Sequence, residues 1–230
     1  MMTGIITNNS RMIFGLALIL GYTYILSLPF KPYEFSYLLK AMPVLILAVL
    51  ALSGVGGLDK KEKILFMLAM SGSAAGDIFL DFDRTLYLKH ALASFLITQV
   101  TYFMLFVPKR DMTSWRRWLT YPLAAMAGVL LYFFSHTAGP LFVPVVVYVM
   151  VLVAMAVAAL LVANNPWVNV GGVLFLVADA LIGINRFIMP FEYSTNVIVT
   201  IYITSQLCIG WGLLFYKQSA EAVSESRMLT

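Results

Sequence analysis

The chain has one cysteine, Cys208, so no intramolecular disulfide can form, and its place in an apolar run marks it as a packing residue. It has two histidines, His90 and His136, fewer than a zinc hydrolase site ordinarily draws on, and no metal and no cofactor are expected. Charge is scarce. Only 11% of the 230 residues are charged while 61% are hydrophobic, a balance outside the range of soluble domains. The net charge of +4 is too small and too dispersed for nucleic-acid binding; the basic residues read as anchors facing anionic lipid. The chain also lacks a polar stretch long enough for a separate soluble domain.

What is there is a succession of apolar runs. Since a helical span needs about 20 residues, the sequence predicts an all-α integral membrane bundle of about eight transmembrane helices. Hydropathy and breakers place the spans near 12–28, 36–54, 62–81, 86–107, 118–135, 140–163, 167–185 and 194–216. The first, from Met12 to Leu28, has no small-x-small cleavage pattern after it and reads as a retained helix. Residues 1–217 thus form a single transmembrane helical domain, and 218–230 a polar cytoplasmic tail. Eight spans put both termini on one side, with Arg11, Lys60, Lys61, Lys63, Lys109, Arg110, Arg116, Arg117, Lys217 and Arg227. Lys31, Lys40, Arg84, Lys89 and Arg186 fall on the other. Basic residues favour the cytoplasmic side of short loops, so both termini are expected there, in a bacterial inner membrane.

Two aspartates interrupt this pattern, Asp77 in SGSAAGDIFLDF and Asp179 in VLFLVADALIGINRF. An ionisable group at membrane depth is expensive unless it faces a protein interior, so both read as site residues. Each lies seven residues before an arginine, Arg84 or Arg186. At about 1.5 Å per residue both carboxylates lie roughly 10 Å inside the outer boundary. Pro43-Val44-Leu45-Ile46 lies 34 residues before Asp77, and Pro144-Val145-Val146-Val147 lies 35 before Asp179. These matches suggest two parallel four-helix repeats, with one aspartate from each facing a shared cavity.

Other polar residues fall mostly in the same outer half: Lys40, His90, Tyr148, Tyr202 and Gln206, with Gln99 nearer the middle; Lys40, Tyr148, Asn185, Arg186, Tyr202 and Gln206 are the candidate substrate-binding residues. Together they suit a wet pocket, with Lys40 and Arg186 as cations near headgroup level. Each has a plainer reading. Lys40 and Arg186 can snorkel, the tyrosines can pack, and Gln99 and Gln206 can bond neighbouring helices. His90 reads as interfacial, His136 as a loop residue, and Asp59, Asp81 and Asp83 as solvated helix-end residues.

KAMPVLILAVLAL at Lys40, SAAGDIFLDF at Asp77, GGVLFLVADALIGINRF around Asp179 and TIYITSQLCIGWGLL around Tyr202 and Gln206 resemble the motifs of the YhhN-like lysoplasmalogenase family. The resemblance implies a membrane enzyme that hydrolyses the vinyl ether of lysoplasmalogens to a fatty aldehyde and glycerophosphoethanolamine or glycerophosphocholine. It maps the two intramembrane aspartates onto Asp77 and Asp179, with a lysophospholipid as substrate and membrane lipids as surroundings. The chain departs from the family pattern at Gln99, where relatives often place His before an aromatic, and at Ala178, where Ser often precedes the second aspartate.

Vinyl ether hydrolysis needs a carboxylic acid that keeps its proton near neutral pH, and a second carboxylate to stabilise positive charge and activate water. On sequence alone Arg186 favours an ionised Asp179, leaving Asp77 as the donor, while Lys40 and Arg186 hold the phosphate. The alternative class is a transporter that uses the aspartates for proton or cation coupling. Oligomeric state has no sequence signal.

Overall fold

The computed structural model describes residues 8–83 and 85–216. Arg84, Lys217, Arg227 and the tail expected over 218–230 lie outside the described residues. Among the described residues eight α-helices run α1 Asn8–Ser27, α2 Ser36–Leu52, α3 Lys60–Phe82, α4 Leu88–Phe106, α5 Thr120–Thr137, α6 Phe142–Leu160, α7 Pro166–Phe187 and α8 Ser194–Trp211. Seven are long and apolar enough to cross a membrane. The exception is α2, at 17 residues, two residues shorter at its end than the span expected to reach 54. It stops because Gly54 and Gly56 take positive φ, a left-handed conformation that breaks the helix. α3 then starts on a capping box, in which Asp59 accepts from the Glu62 N–H and Glu62 reaches back to the Asp59 N–H. The bundle is that of an integral membrane protein.

Backbone amides can be satisfied at membrane depth only within helices or closed barrels. Side chains therefore settle the rest, and small residues set the helix spacing. A Cβ on Gly72 of α3 would stand 2.8 Å from the carbonyl oxygen of Ser94 on α4. One on Gly171 of α7 would stand 2.9 Å from that of Ser205 on α8. α3 with α4 and α7 with α8 are accordingly the most closely packed pairs, and α2 on α3 is matched by α6 on α7. One large apolar core joins these helices with α1, while a small satellite core around Ala127, Phe134, Val145 and Val149 attaches α5 to α6. α5 is the least enclosed of the long helices and α8 the most.

The up-and-down course brings the α2–α3, α4–α5 and α6–α7 loops to one end, where most described basic residues sit. Lys109 pairs with Glu62 there, and Arg116 donates to the Asn169 side chain and to the Val162 carbonyl at 3.1 Å. The opposite end carries Lys31, Lys40, Lys89 and Arg186.

Candidate functional site

Asp77 and Asp179 face one cavity of about 310 Å³ near the less basic end. Lys40, Asn185, Arg186 and Tyr202 also line it. Six of the eight site residues expected from sequence thus meet on a single wall, drawn from α2, α3, α7 and α8. Phe95 of α4 and Ile198 and Val199 of α8 close the apolar side.

The two carboxylates have different company. Asp77, fully enclosed, places Oδ1 3.1 Å from Lys40 Nζ. This is an ion pair without a directed hydrogen bond to that oxygen; Lys40 instead donates to the Asp77 backbone carbonyl at 3.4 Å. Tyr202 donates to Asp77 Oδ2 at 2.8 Å. Asp179 has no ion pair among the described residues. Tyr148 donates to its Oδ2 at 2.5 Å and Gln99 Nε2 to the same oxygen at 3.0 Å. Asp179 also lines an adjoining apolar slot that Asp77 does not reach, and Tyr148 stands on the wall of that slot rather than of the larger cavity.

The partners obey a cross-over rule. Each aspartate is held by the second helix of its own half, Lys40 on α2 or Tyr148 on α6, and by the last helix of the other half, Tyr202 on α8 or Gln99 on α4. The partner helices correspond between the halves, but the partner residues do not keep the offset of the aspartates: Asp77 and Asp179 are 102 residues apart, Lys40 and Tyr148 108.

Lys40 is only 4% exposed, so its ammonium is engaged with Asp77 and does not stand free at headgroup level. Arg186 is exposed at the mouth of the cavity. Asn185 lines the cavity and accepts from the Phe191 N–H at 3.3 Å, which fixes the loop before α8. Gln206 does not reach the cavity wall. It lies one helical turn behind Tyr202 and accepts from the Tyr102 hydroxyl at 2.7 Å. Its amide nitrogen donates to Ser73 at 2.8 Å and to Tyr202 at 3.4 Å, so it braces Tyr202 from behind.

Asp81 overturns the reading of a solvated helix end. Its side chain is 1% exposed and bonds Lys31, Ser36 and, at 2.5 Å, Tyr24. These partners come from α1, α2 and their connection, which no count along α3 could bring into view. The histidines lie elsewhere: His90 is exposed against Phe79 and Tyr87, and His136 against Tyr132. Among the described residues no three His, Cys, Asp or Glu side chains group as a metal site would.

Residues 35–213 match the YhhN family. The chain belongs to this family. A lysoplasmalogenase of Mycobacterium bovis is 30% identical over 186 residues, covering 77% of this chain and 69% of that protein. Lysoplasmalogenase TMEM86A of Bos taurus is 26% identical over 226 residues, covering 89% and 88%. The Homo sapiens TMEM86A lysoplasmalogenase matches to the same extent. No solved structure matches the chain. Within this YhhN chain, Gln99 supplies an N–H to Asp179, a bond that a ring nitrogen could also supply. Ala178 is fully buried in the large core, so its lack of a hydroxyl leaves nothing unsatisfied.

Proposed function

We propose that the protein hydrolyses the vinyl ether bond of lysoplasmalogens, with Asp179 as proton donor and Asp77 as the carboxylate that activates water. The observation that carries this reading is the position of Asp179 at the junction of a polar cavity and an apolar slot, with the Asp77–Lys40 ion pair in the cavity. A vinyl ether has the same polarity. Its oxygen belongs with the headgroup, and the distal alkene carbon that must take the proton begins the hydrocarbon chain.

The surroundings support the division of roles. Asp179 is enclosed with no cation beside it among the described residues, which favours the neutral acid, and in that form Oδ2 still accepts from Tyr148 and Gln99 as a carbonyl oxygen while Oδ1 carries the proton. Lys40 beside Asp77 favours the carboxylate there. These roles reverse those expected from sequence, because the cation stands beside Asp77. Protonation of the distal carbon by Asp179 leaves an oxocarbenium ion. Asp77 takes a proton from water as the water oxygen bonds to the ether carbon. The resulting hemiacetal collapses when its hydroxyl proton goes to Asp179 and the departing glycerol oxygen is protonated from Asp77. The sum is one water consumed, one fatty aldehyde and one glycerophospho-headgroup released, and both carboxyls restored.

The test is aldehyde release by the purified protein from defined lysoplasmalogens, set against saturated ether and ester analogues. Aldehyde from the vinyl ether alone is the expected result. Equal cleavage of the ester would make it a different hydrolase, and ion flux in proteoliposomes without hydrolysis would make it a transporter. Arg186 is assigned to the phosphate at the mouth, so Arg186→Ala should raise KM roughly tenfold and change kcat little; a loss confined to kcat would remove it from that role. The basic end is assigned to the cytoplasm, with substrate entering from the outer leaflet of a bacterial inner membrane.

A further inference from the structure

Among the described residues Lys40 is the one lysine that lines the polar cavity. It is enclosed on α2, with Nζ 3.1 Å from Asp77 Oδ1. No hydrogen bond is directed at that oxygen, which leaves its lone pairs open to a proton from the ammonium. Lys31, at the same end of the bundle, is taken up by Asp81 and does not reach the cavity. Leu80, Phe95, Ile198 and Val199 make much of the surrounding wall apolar. An enclosed amine beside a carboxylate, in a cavity that limits water, is the setting in which a lysine condenses with a carbonyl group. Vinyl ether hydrolysis would deliver such a group to this place. The water that Asp77 activates bonds to the ether carbon, and that carbon becomes the aldehyde carbon. It therefore lies about one water molecule from the Asp77 carboxylate, beside which Lys40 stands.

We propose that Lys40 captures fatty aldehydes as an iminium whose counter-ion is Asp77. The inference rests on the proposed hydrolysis for the source of the aldehyde, while capture itself needs only the cavity and its amine. Asp77 takes one proton from the ammonium, and the amine nitrogen bonds to the carbonyl carbon. The carbon–oxygen bond then breaks, and the oxygen leaves as water with one hydrogen from Asp77 and one from the nitrogen. The third hydrogen stays on the iminium nitrogen, so a positive charge remains beside Asp77 and the buried pair is not broken. Ammonium and aldehyde are consumed, and iminium and one water are formed. Return of water reverses the steps and releases the aldehyde, so the product holds the site until water re-enters.

The test supplies hexadecanal to the full chain in detergent with sodium cyanoborohydride, which reduces an iminium to a stable secondary amine. Peptide mass spectrometry then locates the added alkyl group. At equimolar aldehyde, Lys40 should be alkylated at least about tenfold more than any of the exposed Lys60, Lys61 and Lys89. Hexadecanol, which has the same chain and no carbonyl, should suppress alkylation of Lys40 and leave that of the exposed lysines unchanged. Lys40→Arg keeps a cation beside Asp77 but has no amine to condense, so the alkyl group should then be found only on the exposed lysines. With a lysoplasmalogen in place of added aldehyde, cyanoborohydride should stop turnover and leave the same alkyl group on Lys40. Alkylation spread over the exposed lysines with Lys40 unmodified, or alkylation of Lys40 that hexadecanol does not suppress, would each overturn the proposal. If Lys40→Arg does not fold, the position of the label and its suppression in the unsubstituted protein decide. Alkylation of Lys40 by hexadecanal without aldehyde release from lysoplasmalogens would keep the capture site and remove the hydrolase reading. Aldehyde release with Lys40 left unmodified would do the reverse.

Discussion

Asp179→Asn is expected to lower kcat by on the order of 10²–10⁴-fold, the range for removal of a positioned general acid, while KM stays near its original value. The asparagine carbonyl can accept the same bonds from Tyr148 and Gln99 that Asp179 Oδ2 accepts, so the surrounding helices need not move. What disappears is the proton. The residual rate should then climb about tenfold for each unit the pH is lowered, as protonation passes to hydronium ion. Asp77→Asn should also be slow, yet its rate should not follow hydronium in this way, because Asp179 still donates. Aldehyde release followed across pH for both variants checks the assignment. Hydronium dependence in Asp77→Asn and its absence in Asp179→Asn would exchange the two roles.

Lys40→Met should be the most damaging change to stability. It would leave the Asp77 carboxylate enclosed without its cation, and breaking a buried pair from one side costs about 3–5 kcal/mol. Adding Asp77→Asn should recover most of that loss, since a neutral amide can still accept from Tyr202. Activity should not return with it. Thermal unfolding in detergent of the two single variants and the double variant separates these outcomes. An unchanged melting point for Lys40→Met together with a large rise in KM would mean that Lys40 serves the phosphate and not Asp77.

Much of the site was legible because membrane depth is unforgiving. Asp77 and Asp179 stand out in apolar runs, and the seven-residue spacing to Arg84 and Arg186 gave them one depth. Lys40 and Tyr202 stand out by the same test of polarity at that depth, Asn185 and Arg186 by their spacing from Asp179, and all four line the cavity. What is not legible in the sequence lies across helices. Asp81 looked solvated because it is near the end of α3, yet Tyr24, Lys31 and Ser36 enclose it. Gln206 looked like a neighbour of the substrate, but a rotation that turns Tyr202 toward the cavity turns Gln206 to Ser73 and Tyr102. Lys40 looked like a free headgroup cation because α3 could not be seen beside it.

By itself the sequence determined that the chain is an all-α membrane bundle carrying two intramembrane carboxylates at one depth. Apolar runs of that length and acids within them admit few other arrangements in a bilayer. Only the tertiary structure decided that Lys40 belongs to Asp77, that Tyr148 and Gln99 belong to Asp179, and that of the two carboxylates it is Asp179 that touches both the polar cavity and the apolar slot. Those pairings depend on the rotation and closeness of neighbouring helices, which small residues such as Gly72 and Gly171 set by backbone contact. Hydropathy along one helix carries no record of them.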